Sequence, residues 1–178
     1  MITFNFEKFK LVINKIEYIN SITNINTIDW NWISRYQTLS ESFIIEFQNK
    51  VYWYRISTYQ TLSESFIREF QNKVYWNWIS RYQTLSELFI KEFQDRVSWN
   101  WISRYQTLSE DFIRKFQNKV DWYWISKYQT LSEPFIREFQ DRVNWFYIFE
   151  NKKIKLSKEF ITEMILKGYP IKTWVTCI

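Results

Sequence analysis

The chain has 178 residues, a formal net charge of +5, 22% aromatic residues, no histidine, one glycine and one cysteine. Without His, and with Cys177 alone near the end, zinc ligation, most nucleophile–base constellations and any disulfide within the chain are excluded. The excess charge is not laid out as a phosphate-binding stripe: residues 1–29 are neutral, residues 30–144 carry +2, and residues 145–178 hold six Lys against three Glu.

Residues 1–29 are rich in Ile and Asn, and lack the basic-then-apolar layout of a secretory signal. They read as an N-terminal cap, one longer helix followed by a turn through residues 24–27. No stretch reaches 18 uninterrupted apolar residues, so no membrane span is expected. The absence of alanine beside abundant Ile, Asn and Lys points to an AT-rich source genome.

From residue 30 the chain repeats. Trp30, Trp53, Trp76, Trp99, Trp122 and Trp145 stand 23 residues apart, and five tandem copies fill residues 30–144. A period of this length marks a stacked array in which each unit buries its apolar face against its neighbours. Within each copy, residues 30–37 place Trp30, Ile33 and Tyr36 or Gln37 on one helical face, which predicts a short helix of about two turns. Asp29, Ser98, Asp121 and Asn144 are suitable N-caps for it, whereas Tyr52 and Tyr75 are not. The β-prone Val51, Trp53 and following aromatics also admit a strand, which would make the chain a βα solenoid.

Residues 38–51 predict a longer helix of about three turns. Leu39, Phe43, Phe47 and Val51 recur every fourth residue beside Ile44, and Thr38 with Glu41 fits a capping box. Pro134 in the fifth copy places a helix start, because proline is tolerated only in a first turn. The fold class is therefore all-α, a helical-repeat solenoid of about five helix–turn–helix units, with the βα solenoid as the alternative. Residues 145–178 read as a divergent sixth repeat and C-terminal cap, in which Gly168 ends the last helix and the apolar residues 171–178 fold back over it.

Comparison of the copies separates scaffold from surface. Trp30, Ile33, Tyr36, Leu39, Phe43, Ile44, Phe47 and Val51 keep their type in every copy and are core candidates. Gln37 and Gln48 are equally constant and suit hydrogen-bonded ladders between units. One variable slot holds Trp32, Arg55, Trp78, Trp101 and Trp124; three residues on, another holds Arg35, Thr58, Arg81, Arg104 and Lys127. At helical spacing the two slots are neighbours. With Tyr54 and Tyr123 beside them they predict an aromatic-and-basic stripe, serving either as packing between units or as a recognition surface.

The regular carboxylates at Glu41 and Glu46 fall on helix starts and outer faces, not across a cleft, so no catalytic pair is expected. No cofactor, metal site or enzymatic activity is expected. The expected function is a repeat binding module for a protein partner. Nucleic-acid or nucleotide binding through the Trp/Arg stripe is the first alternative, and a self-associating structural protein the second.

The pattern Trp-x-x-Ile-Ser-x-Tyr-Gln-x-Leu-Ser-Glu-x-Phe-Ile-x-x-Phe, from Trp30 to Phe47 and in the four copies after it, resembles short tandem repeats of giant DNA viruses of amoebae. Related arrays occur in some bacteria and phages. The resemblance covers residues 30–144 and departs at Arg55, which replaces the second aromatic. It brings no catalytic residue. It implies a repeat protein of virus–host or virion-associated role, in host cytoplasm or virion and not secreted.

Overall fold

A computed structural model of the chain describes residues 29–169. The chain divides into two compact units, Met1–Gln83 and Thr84–Ile178. The first contains α1 (Trp30–Tyr36), α2 (Glu41–Glu46), α3 (Trp53–Tyr59), α4 (Glu64–Glu69) and α5 (Trp76–Tyr82). The second contains α6 (Glu87–Glu92), α7 (Trp99–Tyr105), α8 (Glu110–Lys115), α9 (Trp122–Tyr128), α10 (Glu133–Glu138), α11 (Trp145–Glu150) and α12 (Lys158–Leu166). Every described element is a helix, so the strand alternative is removed and the fold class is a helical-repeat solenoid. Of the expected N-terminal cap at 1–29, residues 1–28 lie outside the described residues, as do residues 170–178 of the expected sixth repeat and C-terminal cap at 145–178.

Within the first unit, α1 lies against α3 and α3 against α5; within the second, α7 lies against α9 and α9 against α11. The stacking is therefore between copies of one element at 23-residue spacing. The interior is built from the constant apolar positions. Ile56, Ile67, Ile79, Ile102, Ile113, Ile125 and Ile136 are wholly buried, with Leu39, Phe43 and Val51 and their counterparts beside them. Each such side chain removed from water contributes about 1.5–3 kcal/mol before entropy is counted.

Helices of six or seven residues are too short to stand alone, and three sets of polar contacts hold them. The first is a glutamine ladder. In the first unit the buried Gln60 amide accepts from the Leu39 N–H at 2.8 Å and donates to the carbonyls of Ser34 at 3.0 Å and Gln37 at 2.8 Å, all one copy back. Gln83 repeats this on Leu62, Ser57 and Gln60. In the second unit Gln129 repeats it on Leu108, Ser103 and Gln106. Each glutamine thus closes three backbone groups where a helix has just ended. The ladder stops at Asn151, whose shorter amide still donates to Ser126 and Gln129 but accepts from its own Lys153 N–H at 3.0 Å.

The second set is a serine hinge. The buried Ser34 hydroxyl donates to the Trp30 carbonyl at 2.7 Å and accepts from the Tyr52 N–H at 3.0 Å. Ser57 does the same for Trp53 and Tyr75, and Ser126 for Trp122 and Asn144. The third set explains the constant tryptophan. The indole N–H of Trp53 donates to the Gln48 carbonyl at 2.9 Å while its ring lies 5.2 Å from Phe70. Trp99 and Trp122 likewise donate to Gln94 and Gln117 and lie 5.1 and 4.9 Å from Phe116 and Phe139. Phenylalanine would keep the ring contact and leave the turn carbonyl without its donor.

Several expectations change. The longer helix is six residues, not three turns: it ends at Glu46 and continues through a turn that still brings Phe47 and Val51 inward. The capping box on Thr38 and Glu41 does not form. The N-cap is Ser40, whose hydroxyl accepts from the Phe43 N–H at 3.2 Å. Glu41 reaches forward instead, accepting from the N–H of the next N-cap, Ser63, at 2.6 Å; Glu87, Glu110 and Glu133 do so for Ser109, Ser132 and Ser157. Asp29, Asp121 and Asn144 cap the first helices as expected, whereas Ser98 does not. Pro134 sits in the first turn of α10. Gly168, at φ +80°, ends α12 with the Tyr169 N–H on the Met164 carbonyl and its own N–H on Ile165, a Schellman ending.

Candidate binding flank

The first helix of each copy turns Ile33, Ser34 and their counterparts inward, and Trp32, Arg35 and Tyr36 lie on its outward flank at helical spacing. The tyrosine is the most open member. Tyr36 is 58% exposed, Tyr59 46%, Tyr82 47% and Tyr105 43%. These four were core candidates on the strength of their constancy; they are surface residues. Trp32 is 49% exposed, while Trp78, Trp101 and Trp124 are half-buried.

The predicted stripe is present in each unit. In the first, Trp32 packs on Tyr36 at 5.7 Å and Trp78 on Tyr82 at 5.8 Å. The Arg35 guanidinium lies 4.8 Å from the Tyr36 ring and 5.3 Å from Tyr59, one copy on. Arg81 lies 4.9 Å from Tyr82. Arg55, in the slot that elsewhere holds Trp, donates to Asn31 at 3.0 Å and lies over Tyr54 at 5.2 Å. Tyr54 meets Tyr75 and Trp78 in T-shaped pairs, each at 5.6 Å. Thr58, in the cation slot, binds the Tyr54 carbonyl and adds no charge.

In the second unit Arg104 lies 4.2 Å from the Trp124 ring centroid and within 6 Å of Trp101, Tyr105 and Tyr128. Trp101 pairs with Tyr105 at 5.7 Å, and Trp124 stacks on Tyr128 at 5.6 Å with the planes 12° apart. The Lys127 ammonium is 4.7 Å from Tyr147 and 5.5–5.7 Å from Tyr123, Trp124 and Tyr128. The Tyr123 and Tyr147 phenols share a hydrogen bond of 2.7 Å. That bond pushes the Tyr147 phenol above its ordinary range. All eleven predicted positions therefore lie on first-helix flanks. The stripe is cation on ring: Arg104 packs between copies, while Tyr36, Tyr59, Tyr82 and Tyr105 are exposed.

Sequence reasoning missed Tyr36, Tyr59, Tyr82, Tyr105 and Tyr128. Their spacing of four from the variable Trp was the signal that could have found them. It also missed Tyr147, Lys152 and Lys153, which the last copy places beside Lys127 around an open cleft of about 450 Å³.

The second helices carry different electrostatics. Arg114 meets Asp111 at 2.6 Å and Glu138, one copy on, at 2.8 Å; Arg137 meets Glu163 at 2.8 Å and Lys119 meets Asp95 at 2.8 Å. Hydrogen bonds from Arg137 and then Lys167 hold the Glu163 carboxyl down at about 2, and the Arg114 guanidinium lowers Glu138 likewise. Among the described residues no group of three or more His, Cys, Asp or Glu is placed to hold a metal, and no helix is long and apolar enough to cross a membrane. No protein-family model, curated protein or solved structure matches the chain.

Proposed function

We propose that the chain is a non-enzymatic repeat binding module whose first-helix flank meets a protein partner. The observation that carries this reading is the set of exposed tyrosines, Tyr36, Tyr59 and Tyr82 in the first unit and Tyr105 in the second, each braced by a Trp or Arg of its own unit. A braced tyrosine offers wide contact area and a phenol hydrogen bond at small entropic cost. Tyr, Trp and Arg are also the residue types that dominate protein interfaces.

Single-stranded nucleic acid is a second reading, favoured by flank cations that face rings instead of carboxylates. Base stacking, however, needs accessible ring faces. Trp124 is half-buried and already meets Tyr128, Arg104 and Tyr123, so a base would have to displace one of them. Self-association through the same tyrosines is the third reading. The resemblance to giant-virus repeats supports a virus–host or virion-associated setting.

Affinity capture from nuclease-treated host extract tests this. A protein retained by the chain should be lost when Tyr59→Ser and Tyr82→Ser are combined, with the unfolding midpoint little changed. Capture that disappears on nuclease treatment moves the reading to nucleic acid. Concentration-dependent sedimentation without any captured protein moves it to self-association.

A further inference from the structure

Resting on the protein-partner reading, we propose that the partner is acidic. Its Asp or Glu side chains dock in the second unit, in the cleft between α9, α11 and the turn that follows α11. The cleft is lined by Lys127, Tyr128, Tyr147, Glu150, Lys152 and Lys153, three ammonium groups against one carboxylate.

The cations of the second unit differ in their partners. Arg114 on α8, Arg137 on α10, Lys119 on the turn after α8 and Lys167 at the end of α12 each meet a carboxylate at 2.6–2.8 Å, whereas Arg142 meets the Gln117 and Asn118 side-chain amides. On the first-helix flank, Lys127 lies on rings and Lys153 donates to the Tyr128 carbonyl at 2.8 Å. Lys152 is exposed on the adjoining turn. Among the described residues none of these three lysines has a carboxylate within 4.0 Å. Ring and carbonyl contacts orient an ammonium group without cancelling its charge, so positive potential persists at the cleft and favours an anionic occupant.

The occupant's anion is a carboxylate on a polypeptide rather than a phosphate of nucleic acid. The neighbouring Trp124 is half-buried and already meets Tyr128, Arg104 and Tyr123, which leaves Phe146 as the single exposed ring of the lining, too few for successive bases to stack on. What the cleft rim offers instead is ammonium and phenol donors, which suit carboxylate oxygens.

Fluorescence anisotropy with the intact chain provides the test, using a fluorescein-labelled peptide of alternating Glu and Ser. Its controls are the same peptide with Gln for Glu and an oligothymidine of equal charge. The Glu peptide should bind, weaken steeply with salt, and lose about tenfold or more in affinity to a Lys152→Glu/Lys153→Glu variant. Both lysines are exposed on a turn and the only side-chain bond lost is the exposed one from Lys153 to the Tyr128 carbonyl, so that variant should melt close to the parent. Absent binding of the Glu peptide, equal binding of the Gln control, tighter binding of oligothymidine, or an unaffected double variant each overturns the proposal. If nuclease-resistant capture survives the lysine changes but not Tyr59→Ser/Tyr82→Ser, the protein-partner reading stands and its acidic form falls. If capture itself fails, both fall.

Discussion

The seam between copies and the flank outside it are built from the same 23 residues by opposite rules. The seam uses uncharged groups: Gln60, Gln83 and Gln129 bond to the copy before, Ser126 ties its own helix to the next N-cap, and no buried side-chain polar atom among the described residues lacks a partner. The flank uses rings with cations lying on them, Arg55 bonding to Asn31 as well. A missed hydrogen bond in the dry seam carries the full desolvation cost of the orphaned group, so the geometry there tolerates no variation. Ring and cation contacts on a wet surface are individually worth about 1 kcal/mol or less. The flank therefore accepts Arg55 in a tryptophan slot and Thr58 in a cation slot, and the seam accepts no substitute until Asn151 ends it.

That contrast breaks most sharply at Gln129. Changing Gln129→Leu strands the Leu108 N–H and two carbonyls, and should lower unfolding free energy by roughly 3–6 kcal/mol in urea titrations; a loss near zero would dissolve the distinction. Ile113→Ala, at a wholly buried position, should cost about 2–5 kcal/mol by the same measurement. Trp122→Phe keeps the ring contact with Phe139 and deprives the Gln117 carbonyl of its donor, for about 1–2 kcal/mol. On the flank, Tyr82→Ser should cost about 1 kcal/mol or less in stability.

The smallest expected effect lies on the outer charges. Because the folded Glu163 carboxyl is held down at about 2, its contribution is fully present above the ordinary carboxyl range, about 4.3. That contribution is lost as pH falls from there toward 2. Glu163→Gln should flatten that stretch of the midpoint-versus-pH curve, and added salt should shrink the difference, since the pair is exposed.

The period, the apolar interior and the helical character were legible because the Leu39–Phe43–Ile44 spacing is a local signal. Gln37 and its counterparts as ladder residues were legible too, since a constant polar residue at a tight turn has few other uses. Two things were not. Glu41 sits where a capping box would put it, and only the stacking of neighbouring copies reveals that its oxygen serves the next N-cap. Tyr36 was misplaced because constancy between copies was equated with burial, whereas an array that presents one surface repeatedly keeps its outward residues constant as well.

Asn151 shows how such an array can vary in size. Because the junctions within each unit are made from the same bonds, a copy gained or lost there by recombination would need no new kind of contact. The asparagine, one methylene shorter than the glutamine it replaces, turns its oxygen back on its own backbone. It acts as a full stop for the ladder of its unit, so the number of glutamine junctions ahead of it becomes a quantity that heredity can adjust in whole steps.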